Sequence, residues 1–319
     1  MKHILQRIAL CAVLFFIISV IVFTLIHLQP GNPFASMVNV DSDPELMNRM
    51  MEEYGLNDPI PIQYLKWLGR TLQGNLGNSI QYKVSVSSLI ASRMMNSLLL
   101  CGSVFCLTCI FSCIICVYTA RKQGLLLDRS LTLLSFGSIS VPSFFIALLL
   151  IKLLSFDLKL LPPSGLITAG SRAVGWARMQ DILKHMILPV GILTVIQTAQ
   201  CARFIRGQMI DIFQEDYISA AEAKGLSESR VVWAHGFRNG LPTVITLFAM
   251  QFPSLLSGTV LTETVFVWPG IGRLSYEAIL SRDYPVTMGV TLVIAVLVIV
   301  ANLLADIASF LLTPQERRI

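Results

Sequence analysis

Cys106, Cys109, Cys113 and Cys116 are the densest set of reactive side chains in this 319-residue chain. Spacings of three, four and three put them on one face of a helix. A four-thiolate metal site needs ligands that converge on one ion from different directions. Small residues along a single helix face instead let membrane helices approach closely, and packing is the reading these cysteines support. Cys11, Cys101 and Cys201 also fall in apolar stretches, so no disulfide framework is indicated. His3, His27, His185 and His235 are scattered and form no HExxH or Cys/His pair. Neither a GxSxG elbow nor a GxxxxGK[ST] phosphate loop occurs. No catalytic residue and no metal ligand is therefore expected, and any coupling to ATP has to come from another polypeptide.

The most informative stretch is polar: Glu215 to Pro242, EDYISAAEAKGLSESRVVWAHGFRNGLP, lies between two strongly apolar segments. Ile210, Phe213, Tyr217 and Ala221 recur at intervals of three to four, with Asp211, Glu215 and Glu222 off that stripe. The pattern predicts a short amphipathic helix ending at Gly225, where a left-handed cap fits. Ala220, Ala221 and Ala223 crown it with small side chains that let a partner backbone approach. A helix lying on lipid headgroups would carry more Lys and Arg on its polar face. Docking into a partner's cleft is the better match.

The elements that hold this stretch are set by composition. Hydrophobic residues make up 54% of the chain and charged residues 13%, about half the charge of a soluble domain. A membrane span needs about 20 mostly apolar residues, and six segments qualify: 8–28, 97–119, 130–153, 186–205, 243–262 and 288–312. All six are expected to be helices, since lipid offers no partner for open backbone groups. The fold class is thus an all-α polytopic membrane protein. The first span has Lys2 and Arg7 before it but no small-residue cleavage site after it, so it is read as retained. The expected divisions are an N-terminal helix over 1–28, an outer region over 29–96, a core over 97–312 with a loop at 206–242, and a tail over 313–319. Lys and Arg divide evenly between the two sides, but the set containing both termini and the 206–242 loop is shorter and so denser in positive charge. The positive-inside tendency then places that set, termini included, in the cytoplasm.

In the outer region, Tyr64, Leu65, Trp67 and Leu68 fall at helical spacing and call for burial, which predicts a small folded cap. At Glu263 to Pro285, Pro269, Gly270 and Gly272 beside Trp268 predict a tight turn. It serves either as a gate reaching toward a partner or as a packed re-entrant turn. A secondary transporter would show inverted repeats and midplane charges; the spans hold almost no ionisable residue, and the first three do not visibly repeat in the last three.

Ser219 to Gly225, SAAEAKG, resembles the EAA motif of ABC importer permeases. DYISAAEAKGL followed by HGFRNGLP is similar to the version in the dipeptide, oligopeptide and nickel permeases. PGNPF at Pro30 to Phe34, SVPSFFIALLL at Ser140 to Leu150, LPPSG at Leu161 to Gly165, VFVWPGIGRL at Val265 to Leu274 and RDYP at Arg282 to Pro285 agree in order and position. The chain departs from that pattern at Ser219, where Glu is usual, and at Ser309, Thr313 and Gln315 near its end, while Asp306 is kept. A carboxylate so close to a span end is normally paired, and Asp306 is expected to hold the terminal helix.

The resemblance implies an ABC type I importer permease in the bacterial inner (cytoplasmic) membrane, half of a pathway completed by a second homologous permease subunit. Two ABC ATPase subunits would carry ATP and Mg, an extracytoplasmic substrate-binding protein would deliver substrate, and this chain would bind no cofactor and no nucleic acid. Tyr217, Ala220, Ala221, Glu222 and Gly225, with Arg238 and Asn239 supporting the turn, would make the ATPase contact. Trp268, Pro269, Gly270, Gly272 and Arg273 would form the outer gate or meet the binding protein. Peptides are the favoured cargo, with nickel or a metal–metallophore complex as the alternative.

Overall fold

The computed structural model describes residues 2–28 and 58–312. The motif at Pro30 to Phe34, most of the outer region and the tail with Thr313 and Gln315 lie outside the described residues. In chain order the helices are α1 (Lys2–His27), α2 (Ile60–Leu72), α3 (Val86–Arg121), α4 (Leu126–Ser140) and α5 (Ser143–Leu150), the last continued by a π-helical turn at Ile151–Asp157. There follow α6 (Gly175–Phe213), α7 (Asp216–Ala223), α8 (Glu228–Arg230) with a π-helical segment at Val231–Phe237, α9 (Arg238–Gly258), α10 (Val260–Val265), α11 (Ile271–Leu280) and α12 (Tyr284–Leu312). The described residues contain no strand, only one isolated bridge between Asn78 and Ser85.

Four helices are long and apolar enough to cross a membrane, or five if α4 and α5 count as one bent span. The expected third span is not a single rod: α4 and the α5 run meet at 105°. The cause is local. Val141 precedes Pro142 and is pushed to extended backbone at φ −107°, ψ 126°, because the proline ring disfavours helical geometry in the residue before it. Two other helices outrun their apolar cores. α3 begins at Val86 rather than near 97, and α6 has 39 residues, about 58 Å at 1.5 Å per residue, although the apolar run suggested 186–205. The 243–262 segment divides between α9 and α10.

The chain divides into two compact units, residues 1–97 with 269–300 and residues 98–268 with 301–319. In the first, Tyr64 and Trp67 of α2 pack on Phe23 of α1, and the Tyr64 hydroxyl lies 2.8 Å from the buried Ser19 hydroxyl. Leu65, expected to be buried, is 65% exposed; only half of the α2 apolar set faces inward. Val86, Ile90, Ile271, Leu274, Val286 and Val290 make a second apolar cluster. There Gly289 is required, since a Cβ would come 2.7 Å from Val86 Cγ1. Asp283, fully buried, accepts from Ser79 Oγ at 2.5 Å, from the Gln81 N–H at 3.1 Å and from the Val286 N–H at 3.3 Å. It thereby caps α12 and fixes the turn before α3.

In the second unit, α6 is the central helix, with fifteen buried residues including His185, Ile205 and Met209. Cys116 and Cys201 are fully buried, with Cys109 and Cys113 partly so, in a core shared with Ile205, Met209, Val232, Val244 and Phe248. Cys106 is exposed, so the cysteine face is mostly helix packing. Asp128 of α4 accepts from both Nε and Nη2 of Arg206, the latter at 2.9 Å, and from the Gly124 N–H at 2.9 Å. This bidentate pair ties α4 to α6 where the intervening loop turns.

Candidate functional site

The polar stretch between the two apolar segments is more helical than its composition suggested. α6 carries Ile210 and Phe213 as its final turn, so the expected helix over Ile210 to Gly225 is two elements that break at Gln214. From Glu228 onward the backbone stays helical through the π segment into α9, with αR geometry at Arg230, Val231, Phe237 and Arg238. Arg238 and Asn239 therefore sit exposed on a helix rather than at a turn.

Between these runs stands α7, eight residues long. Asp216 lies in its first turn, where a carboxylate meets the positive end of the helix. Gly225 at φ +74° reverses the chain in left-handed geometry, as its position suggested. Ile218 and Ala221 are buried and pack with Val231, Phe213 and Leu226. Ala221 thus faces its own chain, whereas Tyr217, Ser219, Ala220 and Ala223 point outward. The outward surface is a strip of small side chains beside one tyrosine, which is 38% exposed.

Sequence reasoning missed the residue that holds α7 in place. Arg121, at the end of α3, pairs through Nη2 with Glu222 Oε1 of α7, and its Nε lies 4.0 Å from Glu228 Oε1 of α8. Its guanidinium also sits 5.7 Å from the centre of the Phe213 ring at the end of α6, a cation–π placement. One side chain therefore reads the positions of three helices. Nothing in local spacing signals a partner 101 residues away.

The glycines of HGFRNG explain how α9 closes on α6. A Cβ on Gly236 would overlap the Phe213 ring, and one on Gly240 would come within 2.9 Å of Ile212 Cδ1 and 3.2 Å of Met209 Sδ. Gly240→Leu is expected to destabilise this junction by about 1–3 kcal/mol, seen as a lower melting temperature of the purified chain. Gly102→Ala, where a Cβ meets nothing within 4 Å, is the control. Equal shifts in the two variants would refute the close-approach argument.

The second sequence-predicted set divides. Trp268 is fully buried among Leu100, Val104, Met186, Val190, Leu193 and Leu255, and its N–H donates to the Glu263 carbonyl at 2.8 Å. It is a core side chain of its unit. The conformational demand of this turn falls on Val267, at φ 52°, an unfavourable place for a β-branched residue; Gly270 is extended at φ −104°, ψ −179°. In the other unit the Pro269 carbonyl accepts from Asn96 Nδ2 at 2.9 Å and the Ile271 N–H donates to Ser97 Oγ at 2.8 Å. Gly270 and Gly272 are buried, and Arg273 pairs with Glu277 at 2.7 Å. Tyr82 donates to the same carboxylate at 3.2 Å. Burial first, then the Glu277 charge, push its phenol pKa up, so Tyr82 remains a donor at neutral pH.

The described residues hold no group of three or more His, Cys, Asp or Glu side chains placed to bind a metal ion. What they present instead is a short helix with a small-residue outer strip, held by an arginine and flanked by the two helices that enclose it.

Comparison with known proteins agrees with that picture. Residues 112–318 match the family described as "Binding-protein-dependent transport system inner membrane component", and residues 1–101 match the corresponding N-terminal family. The chain is 38% identical to the oligopeptide transport system permease protein AppB of Bacillus subtilis over 93% of each chain. It is 35% identical to the di/tripeptide transport system permease protein DppB of Pseudomonas aeruginosa over 99% of each. It is also 35% identical to the metal-staphylopine import system permease protein CntB of Staphylococcus aureus, over 99% of this chain and 98% of that one.

Proposed function

The chain belongs to the binding-protein-dependent transport system inner membrane component family, and from that premise we propose that it forms half of the translocation pathway of an ATP-driven peptide importer. The observation that carries this is similarity to peptide permeases along 93% or more of the chain. In this reading the chain sits in a bacterial inner membrane with six spans, α4 with α5 and α9 with α10 supplying the third and fifth. Both termini and α7 face the cytoplasm. A second permease subunit completes the pathway, two ATPase subunits hold ATP and Mg, and a binding protein delivers cargo to the side carrying α2 and α11.

α7 is the coupling helix. Its outer strip of Tyr217, Ser219, Ala220 and Ala223 enters a groove of the ATPase, and Ala221 keeps it attached to α8 from within. Closure of the ATPase pair pushes α7 as a rigid lever. Arg121 spreads that push from α7 to α3, and the glycine contacts at Gly236 and Gly240 carry it between α6 and α9. Pro269, Gly270, Gly272 and Arg273 position the outer turn for the binding protein, with Trp268 anchoring it.

A second cargo, a metal–metallophore complex, is favoured by the similarity to the staphylopine permease. Reconstitution of the permease with its ATPases and binding protein in proteoliposomes decides between them. ATP-dependent uptake of labelled tripeptide is expected. Uptake of a metallophore complex without peptide would select the second cargo, and uptake of neither would overturn the importer reading.

A further inference from the structure

A polar cavity of about 630 Å³ opens between α6 and α9, lined by Gln200, Arg203, Gln208, Asp211 and Gln251 together with Phe204. These α6 residues share one outward face, at spacings of three, five and three. One turn before Gln200, the buried Oε1 of Gln197 has no hydrogen-bond partner among the described residues, so the polar track continues along the helix beyond the cavity. Carboxamides and a guanidinium turned outward from an apolar span are costly against hydrocarbon and belong on a water-filled path. None of these groups takes part in holding α7.

We propose that this cavity is a peptide subsite on the pathway, with Arg203 taking the terminal carboxylate, Asp211 the terminal ammonium, and Gln200, Gln208 and Gln251 the amides between. The inference rests on the importer reading and names the chemistry of its cargo within the membrane. Three features support a zwitterionic, amide-rich ligand. Carboxamides both donate and accept, as a peptide bond does. Arg203 and Asp211 are opposite charges eight residues apart, about 12 Å along the helix axis. An extended tripeptide spans about 10–11 Å. A lipid phosphate would satisfy Arg203 but leave Asp211 and the three amides unmatched.

The test compares uptake of trialanine and its C-terminal amide by the complete complex in proteoliposomes, with the binding protein unchanged throughout. Arg203→Gln is expected to lower the free-acid to amide uptake ratio roughly tenfold relative to wild type, the loss of one charge-assisted contact. Arg203→Lys should restore most of it. Proportional loss of both peptides would overturn the subsite and assign this face to subunit assembly. An effect of Arg203→Gln that vanishes in vesicles of neutral lipid would overturn it in favour of a headgroup. Absence of ATP-dependent uptake in wild type would instead remove the importer reading on which the subsite depends.

Discussion

Ala220→Arg is expected to weaken association with the ATPase subunits at least roughly 30-fold, about 2 kcal/mol, the scale of a central interface residue. Ala220 is exposed on α7, so an arginine there meets no atom of its own chain and the permease should still insert and accumulate. In the partner's groove it would collide and bring an unpaired charge. Ala221→Asp makes the necessary contrast. Ala221 is 5% exposed and packs with Ile218 and Val231, where an unpaired carboxylate is costly. That variant should lose α7 itself and lower the amount of folded permease. Co-purification of the ATPases and hydrolysis stimulated by loaded binding protein measure the first effect; protein level measures the second. If the Ala220→Arg complex assembles and hydrolyses ATP like wild type, α7 is not the transmission element.

The second large effect is on stability. Asp283→Ala removes the acceptor of a hydroxyl and two backbone N–H groups in a site with no exposure. Stranding those donors costs about 3–5 kcal/mol in total, since each buried unpaired group costs about 1–3 kcal/mol. Asp283→Asn keeps one carbonyl acceptor and should lose much less. Thermal unfolding of the purified permease ranks the three proteins. An alanine variant that melts with wild type would show that Asp283 does not secure the turn.

Much of this was legible in the residues. The long apolar helices follow from composition and from the need to satisfy backbone groups in lipid, and the left-handed Gly225 follows from its place after a helix of alanines. The 105° bend was equally written at Val141–Pro142 but hidden by the apolar run around it, which hydropathy treats as uniform. Helix length was underread because α3 and α6 continue past their apolar cores on polar residues with good helix propensity. The inward side of α7 was misjudged because Ala221 and Ala220 are indistinguishable in type; only the packing of Val231 and Leu226 separates them. Arg121 was out of reach for a different reason. Its partners at Glu222 and Glu228 are distant in sequence, and no local periodicity encodes such a meeting. The outer turn misled because its glycines drew attention, while the left-handed backbone sits on Val267.

The π-helical segment at Val231–Phe237 places a constraint on counting rather than on chemistry. Its wider turn accommodates a surplus residue relative to a regular helix, and each residue sets an azimuth of about 100°. Loss of a single residue there would let the segment relax to regular winding and swing Glu228 by roughly that angle, away from Arg121. The number of residues between Gly225 and Pro242 is thus part of the clockwork: conservative exchanges within it preserve the phase of the lever, whereas one insertion or deletion resets it.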